Sequence, residues 1–83
     1  DVNFSIAAYP NPTKDKVTIH ISGEVSHSYT VKLINTVGVE LQATNYSVND
    51  GAPVVDLTSL PKGIYMVQVD DNRGKSIRRI VKE

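Results

Sequence analysis

The side chains that most often perform chemistry in proteins are scarce in this chain. Its 83 residues contain two histidines, His20 and His27, and no cysteine. A serine or threonine nucleophile needs a general base beside it and a third group that orients the base. His20 shares an alternating run with Thr18 and Ser22, but no carboxylate stands in that run. We therefore expect both histidines to be surface side chains, and we expect no catalytic residue.

Oxygen ligands for a metal ion occur in two short clusters. Asp70-Asp71-Asn72 and Asn49-Asp50 could bind Ca²⁺ if their loops met in space. Their spacing matches no EF-hand loop, however. Asp and Asn are also favoured in β-turns, because their side chains hydrogen-bond to their own backbone. The sequence therefore predicts turns at both clusters, with no metal and no cofactor.

Four basic residues stand close together near the end of the chain: Lys75, Arg78, Arg79 and Lys82. Positive charges can protect an edge strand from pairing with other sheets. They can equally form a docking surface for a partner protein, and the sequence leaves both interpretations open. Nucleic acid is not expected as the main partner. The formal net charge is zero, whereas phosphate binding requires an excess of basic residues.

Length and composition indicate one small folded domain spanning residues 1–83. Hydrophobic residues make up 40% of the chain and charged residues 22%, which is ordinary for a folded domain. No apolar run approaches the roughly 20 residues that cross a bilayer, so we expect no membrane span. Because the chain opens on Asp1, we expect this domain to end a longer protein.

Alternation of apolar and polar residues, rather than helical periodicity, dominates the chain. Short alternating runs are separated by turn residues at roughly 8–12-residue spacing, and they predict about seven strands in an antiparallel β-sandwich. An open barrel is the alternative. Residues 64–69 are mostly β-branched, aromatic or apolar, and we expect them to form the central strand. The predicted inward positions include Ile19, Ile21, Val31, Leu33, Leu41, Leu57, Tyr65, Val67 and Val69.

Three predicted turns end in a glycine. Residues 35–38 begin with Asn and connect two strands of a hairpin, whose return strand should point Val39, Leu41 and Ala43 inward. Residues 60–63 contain Pro61, which fixes φ for the second position of a turn. Residues 71–74 form the third turn. The fourth positions, where we expect φ to be positive, are Gly38, Gly63 and Gly74.

Several of these features together resemble a known family. In chain order they are Tyr9-Pro10-Asn11-Pro12, Gly38, the run Leu60-Pro61-Lys62-Gly63-Ile64-Tyr65 with its Gly-x-Tyr pattern, Gly74-Lys75, and Ile80-Val81-Lys82. Their order, separation and position resemble the type A C-terminal sorting domain of the type IX (Por) secretion system of Gram-negative bacteria. The resemblance covers essentially the whole chain.

The resemblance implies an immunoglobulin-like β-sandwich that is a secretion signal and not an enzyme. Such domains direct an attached cargo from the periplasm across the outer membrane. A sortase-like peptidase at the cell surface commonly removes them afterwards, and the cargo is released or attached to lipopolysaccharide. The implied partners are the type IX secretion machinery and that peptidase. The implied locations are the periplasm in transit, then the cell surface or the extracellular medium.

The alternative function is that of an extracellular immunoglobulin-like module, which is appended to a secreted hydrolase and binds carbohydrate or protein. Carbohydrate sites usually display several exposed aromatic rings. This chain has one Phe, four Tyr and no Trp. Most of the tyrosines stand in predicted strands, where we expect burial, so the exposure of the rings separates the two functions.

Overall fold

The computed structural model describes residues 4–83, which form seven strands and one short 3₁₀ helix. In chain order the elements are β1 (Phe4–Tyr9), β2 (Lys16–Gly23), β3 (Ser28–Asn35), β4 (Glu40–Ser47), the 3₁₀ helix Val48–Asp50, β5 (Val54–Asp56), β6 (Gly63–Asp70) and β7 (Lys75–Lys82). Within these residues, no helix has the length and apolar character needed to cross a membrane.

The strands form two antiparallel sheets. One has the order β1-β2-β5 and the other the order β4-β3-β6-β7. Immunoglobulin domains likewise place their first, second and fifth strands in one sheet and their third, sixth and seventh in the other. In this chain the fourth strand joins the second group. The predicted immunoglobulin-like sandwich is confirmed, and the alternative barrel is wrong because the two sheets do not close into one.

The core lies between the sheets, and β6 is central to it as predicted. Tyr65, Val67 and Val69 alternate along β6 and are each at most 7% exposed. Ile21 is half-buried and packs against the core. Every other residue predicted to face inward is buried except the three on the return strand of the hairpin, Val39, Leu41 and Ala43. The full set of buried apolar residues is Phe4, Ile6, Val17, Ile19, Tyr29, Val31, Leu33, Val55, Leu57, Tyr65, Val67, Val69 and Ile80.

The prediction for the return strand of the hairpin is wrong, because its three apolar residues are exposed: Val39, Leu41 and Ala43. The strand register explains the error for Leu41 and Ala43, whereas Val39 precedes β4. Ile34 lies opposite Glu40, whereas Leu33 lies opposite Gln42, so one residue between them is left over as a β-bulge. That extra residue is Leu41. A slip of one residue moves every later side chain to the other face of the strand.

The glycine prediction is confirmed at two of three positions. Gly38 has φ +89° and Gly63 has φ +154°. The prediction for Gly74 is wrong, since the positive φ in that turn belongs to Asn72, at +77°. Asn enters the left-handed region more readily than other residues with a side chain, which allows it to take that place.

The loop between β5 and β6 turns earlier than predicted. The N–H of Leu60 donates to the carbonyl of Leu57 at 3.0 Å, so the hydrogen-bonded turn precedes the expected one at residues 60–63. The Asp56 carboxylate starts this turn by accepting the Thr58 N–H at 2.8 Å. As a result, the later carbonyls of the loop can accept hydrogen bonds from side chains of β6 and β7.

Candidate functional site

The terminal strand β7 carries all four predicted recognition residues, but it divides them between its two faces. Arg78 lies opposite Val67, which is fully buried, so Arg78 is on the side of the strand that faces the other sheet. Lys82, four positions on, has the same orientation because side chains alternate along a strand. Lys75 and Arg79 therefore lie on the outer face. The predicted basic row is two separate pairs.

Lys82 holds the loop that precedes β6. Its Nζ donates to the carbonyl of Leu60 at 2.5 Å and to that of Thr58 at 3.3 Å. An ammonium group that donates to carbonyls offers stronger hydrogen bonds than a neutral donor would. The side chain is half-buried and turned toward the domain. These contacts give Lys82 a structural role in the domain.

Tyr65 binds the same loop one residue further along. Its ring is 7% exposed, and its hydroxyl donates to the carbonyl of Pro61 at 2.5 Å. A tyrosine near the start of the sixth strand that bonds back to the preceding corner is a hallmark of immunoglobulin domains. The Gly63-x-Tyr65 motif and Lys82 therefore fix adjacent carbonyls of one loop.

The Tyr9–Pro12 motif lies against the free edge of β7. The Asn11 amide donates to the carbonyl of Arg79 at 3.1 Å and accepts the Val81 N–H at 3.0 Å. Thr13 continues the pairing, because its N–H donates to the Val81 carbonyl at 2.9 Å and its carbonyl accepts the Glu83 N–H at 2.8 Å. The second half of the edge is thereby closed, so a partner strand could add only along the first half.

Arg78 connects the edges of the two sheets. Its Nε donates to the carbonyl of Ile6 in β1 at 2.7 Å. Gln42 makes the corresponding contact at the opposite side of the sandwich, where its Nε2 donates to the carbonyl of Asp56 at 2.8 Å. Sequence reasoning missed Gln42, because the bulge that turns this side chain inward is not visible in the apolar pattern.

The outer face of β6 and β7 combines cations with exposed aliphatic side chains. We define this outer face by Ile64, Met66, Gln68 and Asp70 of β6 and by Lys75, Ile77, Arg79 and Val81 of β7. Ile64 is 43% and Ile77 45% exposed. Because side chains alternate along a strand, Ile77 and Val81 share one side of β7 with Arg79, while Ile80 lies on the other side. Within residues 4–83, no hydrogen bond or ion pair involves the side chains of Lys75 and Arg79.

Aromatic rings form no exposed platform in the part of the chain that the structure describes. Phe4, Tyr29 and Tyr65 are at most 7% exposed. Tyr46 is half-buried and stacks on Tyr29, with ring centroids 6.0 Å apart and an interplanar angle of 15°. Tyr9 is 52% exposed and stands apart from them. This distribution lacks the several exposed rings that carbohydrate binding would use.

A comparison with known families decides between the two functions. The family model described as the secretion system C-terminal sorting domain matches residues 7–83, which is most of the chain. The chain belongs to this family. Among curated proteins, none matches it significantly. The domain is therefore a type IX sorting signal, which implies export to the cell surface or beyond, and its family is not one of enzymes.

Asp71, one of the candidate calcium ligands, holds two loops of the sorting domain together. Its carboxylate is 1% exposed and accepts backbone N–H groups from Ser26 at 3.0 Å, Arg73 at 3.0 Å and Gly74 at 3.1 Å. The Arg73 guanidinium adds a bond at 3.2 Å. Burial raises the pKa of Asp71, but these hydrogen bonds outweigh it and lower the pKa to about 2. The turn interpretation is confirmed here.

The remaining candidates for chemistry are also accounted for by local structure. Asp50 accepts the Ser47 N–H at 2.8 Å and so caps the 3₁₀ helix, as its turn interpretation predicts. His20 and His27 are both exposed. Among residues 4–83 of the sorting domain, no group of three or more His, Cys, Asp and Glu side chains could hold a metal ion.

Proposed function

We propose that this sorting domain ends a longer secreted protein and addresses that cargo to the type IX machinery. In this proposal the cargo passes through the periplasm, and a sortase-like peptidase at the cell surface removes the domain after translocation. The family match supports the address itself.

We further propose that the machinery reads the outer face of β6 and β7. The observation that carries this proposal is the division of the four basic residues. Arg78 and Lys82 are bound to carbonyls of the domain, whereas Lys75 and Arg79 have no internal partner in the described residues. Cations beside exposed aliphatic side chains match a partner surface that is acidic and apolar.

The motifs of the family have a supporting role in this proposal. Asn11 caps the edge of β7, and Tyr65 and Lys82 fix the loop beside its end. All three side chains therefore set the position of the terminal strand. Their effect on recognition would be indirect, because each is engaged in contacts within the domain rather than presented to a partner.

The experiment fuses residues 1–83 to the carboxyl end of a periplasmic reporter. The fusion is expressed in a strain with a working type IX system and in a matched strain whose translocon is deleted. We expect the reporter at the surface or in the medium of the first strain only, and at a mass reduced by the loss of the domain. Retention in the periplasm of both strains would contradict the address. Delivery at full mass would contradict removal by the peptidase.

A further inference from the structure

One edge of β2 is paired along only part of its length. On the side away from β1, residues 16–18 pair with β5, and the Ile19 N–H donates to the carbonyl of Pro53 at 2.8 Å. Proline has no N–H, so Pro53 cannot return a bond to the Ile19 carbonyl. The ladder between β2 and β5 therefore ends at this residue, and the next part of the β2 edge has no neighbouring strand.

The backbone groups of Ile21 point into this gap. Ile21 lies opposite Ile6 of β1, and the Ile6 carbonyl is turned away from β2, because it accepts the Nε of Arg78. Ile6 and Ile21 therefore form a non-hydrogen-bonded pair, in which the N–H and C=O groups of each residue point away from the other strand. Among the described residues, the Ile19 carbonyl and both backbone groups of Ile21 have no hydrogen-bond partner on this edge.

A groove runs beside this open edge. It has a volume of about 260 Å³, and its walls include Ile21, Val25, Tyr29 and Ala52. Sites for drug-sized ligands usually measure roughly 300–1,000 Å³, so this groove is smaller than a typical small-molecule site. Its size and the apolar side chains in its walls are suited to one or two aliphatic side chains.

We propose that this open edge of β2 is a strand-addition site for an extended, apolar segment of a partner polypeptide. Along this edge lie the Ile19 carbonyl, which accepts, then the Ile21 N–H, which donates, and the Ile21 carbonyl, which accepts. The backbone of an extended polypeptide can offer the complementary series of donors and acceptors. Alternate side chains of the added strand would enter the groove. Pairing of this kind needs backbone groups in register, whereas the outer face of β7 offers charged side chains. The proposed site therefore differs in place and in chemistry from the outer face of β6 and β7.

Two other sheet edges are less open. The second half of the β7 edge is closed by Asn11 and Thr13. The β1 edge lies beside β7, with Arg78 bonded across the gap. Proteins commonly block their exposed strand edges in such ways. Within residues 4–83, the outer edges of β4 and β5 also have no neighbouring strand, and the groove beside the unpaired stretch of β2 distinguishes that stretch from them.

The probe is a peptide of about seven residues that alternates threonine and valine, since strands of this length are typical. Its N-methylated form, which cannot donate backbone hydrogen bonds, is the control. In amide exchange of the free domain, we expect the Ile21 N–H to exchange fast and the Ile19 N–H slowly. Adding the peptide should shift the Ile21 amide resonance and slow its exchange, and the methylated peptide should do neither. If about 1 mM peptide changes neither the resonance nor the exchange rate of the Ile21 amide, even weak binding is absent and the proposal is overturned.

A pair of variants locates the binding site. Ala52→Trp fills the groove, and Ala43→Trp places the same side chain on the exposed face of β4. We expect Ala52→Trp to weaken peptide binding by roughly tenfold, as the loss of one good contact would, and Ala43→Trp to leave it unchanged. Equal affinity of the two variants would overturn the proposal. If Ala52→Trp unfolds the domain, the comparison of the two peptides on the unaltered domain decides the question.

Discussion

The Oδ1 atom of Asn11 accepts the backbone N–H of Val81 at 3.0 Å, across 70 positions of sequence. The same amide donates to the carbonyl of Arg79. One side chain from the Tyr9–Pro12 motif thus occupies two backbone groups on the free edge of β7. This contact holds the terminal strand in place and prevents another strand from pairing there.

Replacing Asn11 should destabilise the domain by loosening β7. Asn11→Ala removes two hydrogen bonds, and we expect the free energy of unfolding to fall by about 1–2 kcal/mol in denaturant titrations. Asn49→Ala is the matched control, because Asn49 is exposed and its side chain makes no hydrogen bond among the described residues. Equal losses in the two variants would contradict the capping role.

Lys82 and Lys75 should differ in their effect on stability although they lie on the same strand. Lys82→Met removes the ammonium that holds the carbonyls of Leu60 and Thr58, and we expect a loss of about 1–2 kcal/mol. Lys75→Met removes an unpaired surface charge and should change stability by less than about 0.5 kcal/mol. Chemical denaturation of both variants measures the difference, and a larger loss for Lys75→Met would refute it.

The two functions of the Tyr65 side chain can be separated by two substitutions. Tyr65→Ala empties a core position and should cost about 3–5 kcal/mol. Tyr65→Phe keeps the ring and removes only the bond to the Pro61 carbonyl, so we expect a loss of about 1 kcal/mol. Denaturant melts measure both. A loss below about 1 kcal/mol for Tyr65→Ala would mean that this ring does not support the core.

Much of the fold could be predicted from the sequence, because strand alternation reports burial directly. Tyr65, Val67 and Val69 were placed correctly, since their face is wholly apolar. Leu41 was misplaced because a bulge changes the pattern of inward and outward residues without changing the apolar sequence. Gly74 was misplaced because Asn72 could take the same left-handed conformation. Local pattern therefore predicted the strands but not the irregularities between them.

The candidate site was less predictable than the fold. The four basic residues are adjacent in sequence, and only the pairing of β7 with β6 shows that Arg78 and Lys82 turn toward the domain. Their carbonyl partners belong to distant loops and strands. No sequence rule specifies that Lys82 reaches Leu60, because that contact depends on how the loop after β5 crosses the end of the sheet.

The stability contributed by Asp71 should depend on pH. The pKa of Asp71 is lowered to about 2, below its value of about 3.9 in an unfolded chain, so its contribution is present above pH 4 and is lost as pH falls through 2. We expect Asp71→Asn to lower the melting temperature at pH 7 and to approach the unaltered domain near pH 2. Glu24→Gln is the control at an exposed acidic position. A difference in melting temperature between Asp71→Asn and the unaltered domain that stays constant from pH 7 to pH 2 would contradict this account.

The most direct test of the outer face as the recognised surface is export of a reporter that carries a charge reversal there. Lys75→Glu with Arg79→Glu is compared with Lys14→Glu and Lys62→Glu, an exposed pair elsewhere that changes the net charge equally. Thermal melts should show that both double variants remain folded. We predict that the Lys75 and Arg79 pair reduces surface delivery by roughly tenfold, as loss of charge complementarity would, while the control pair is exported normally. Equal export of the two folded variants would contradict recognition through the outer face of β6 and β7.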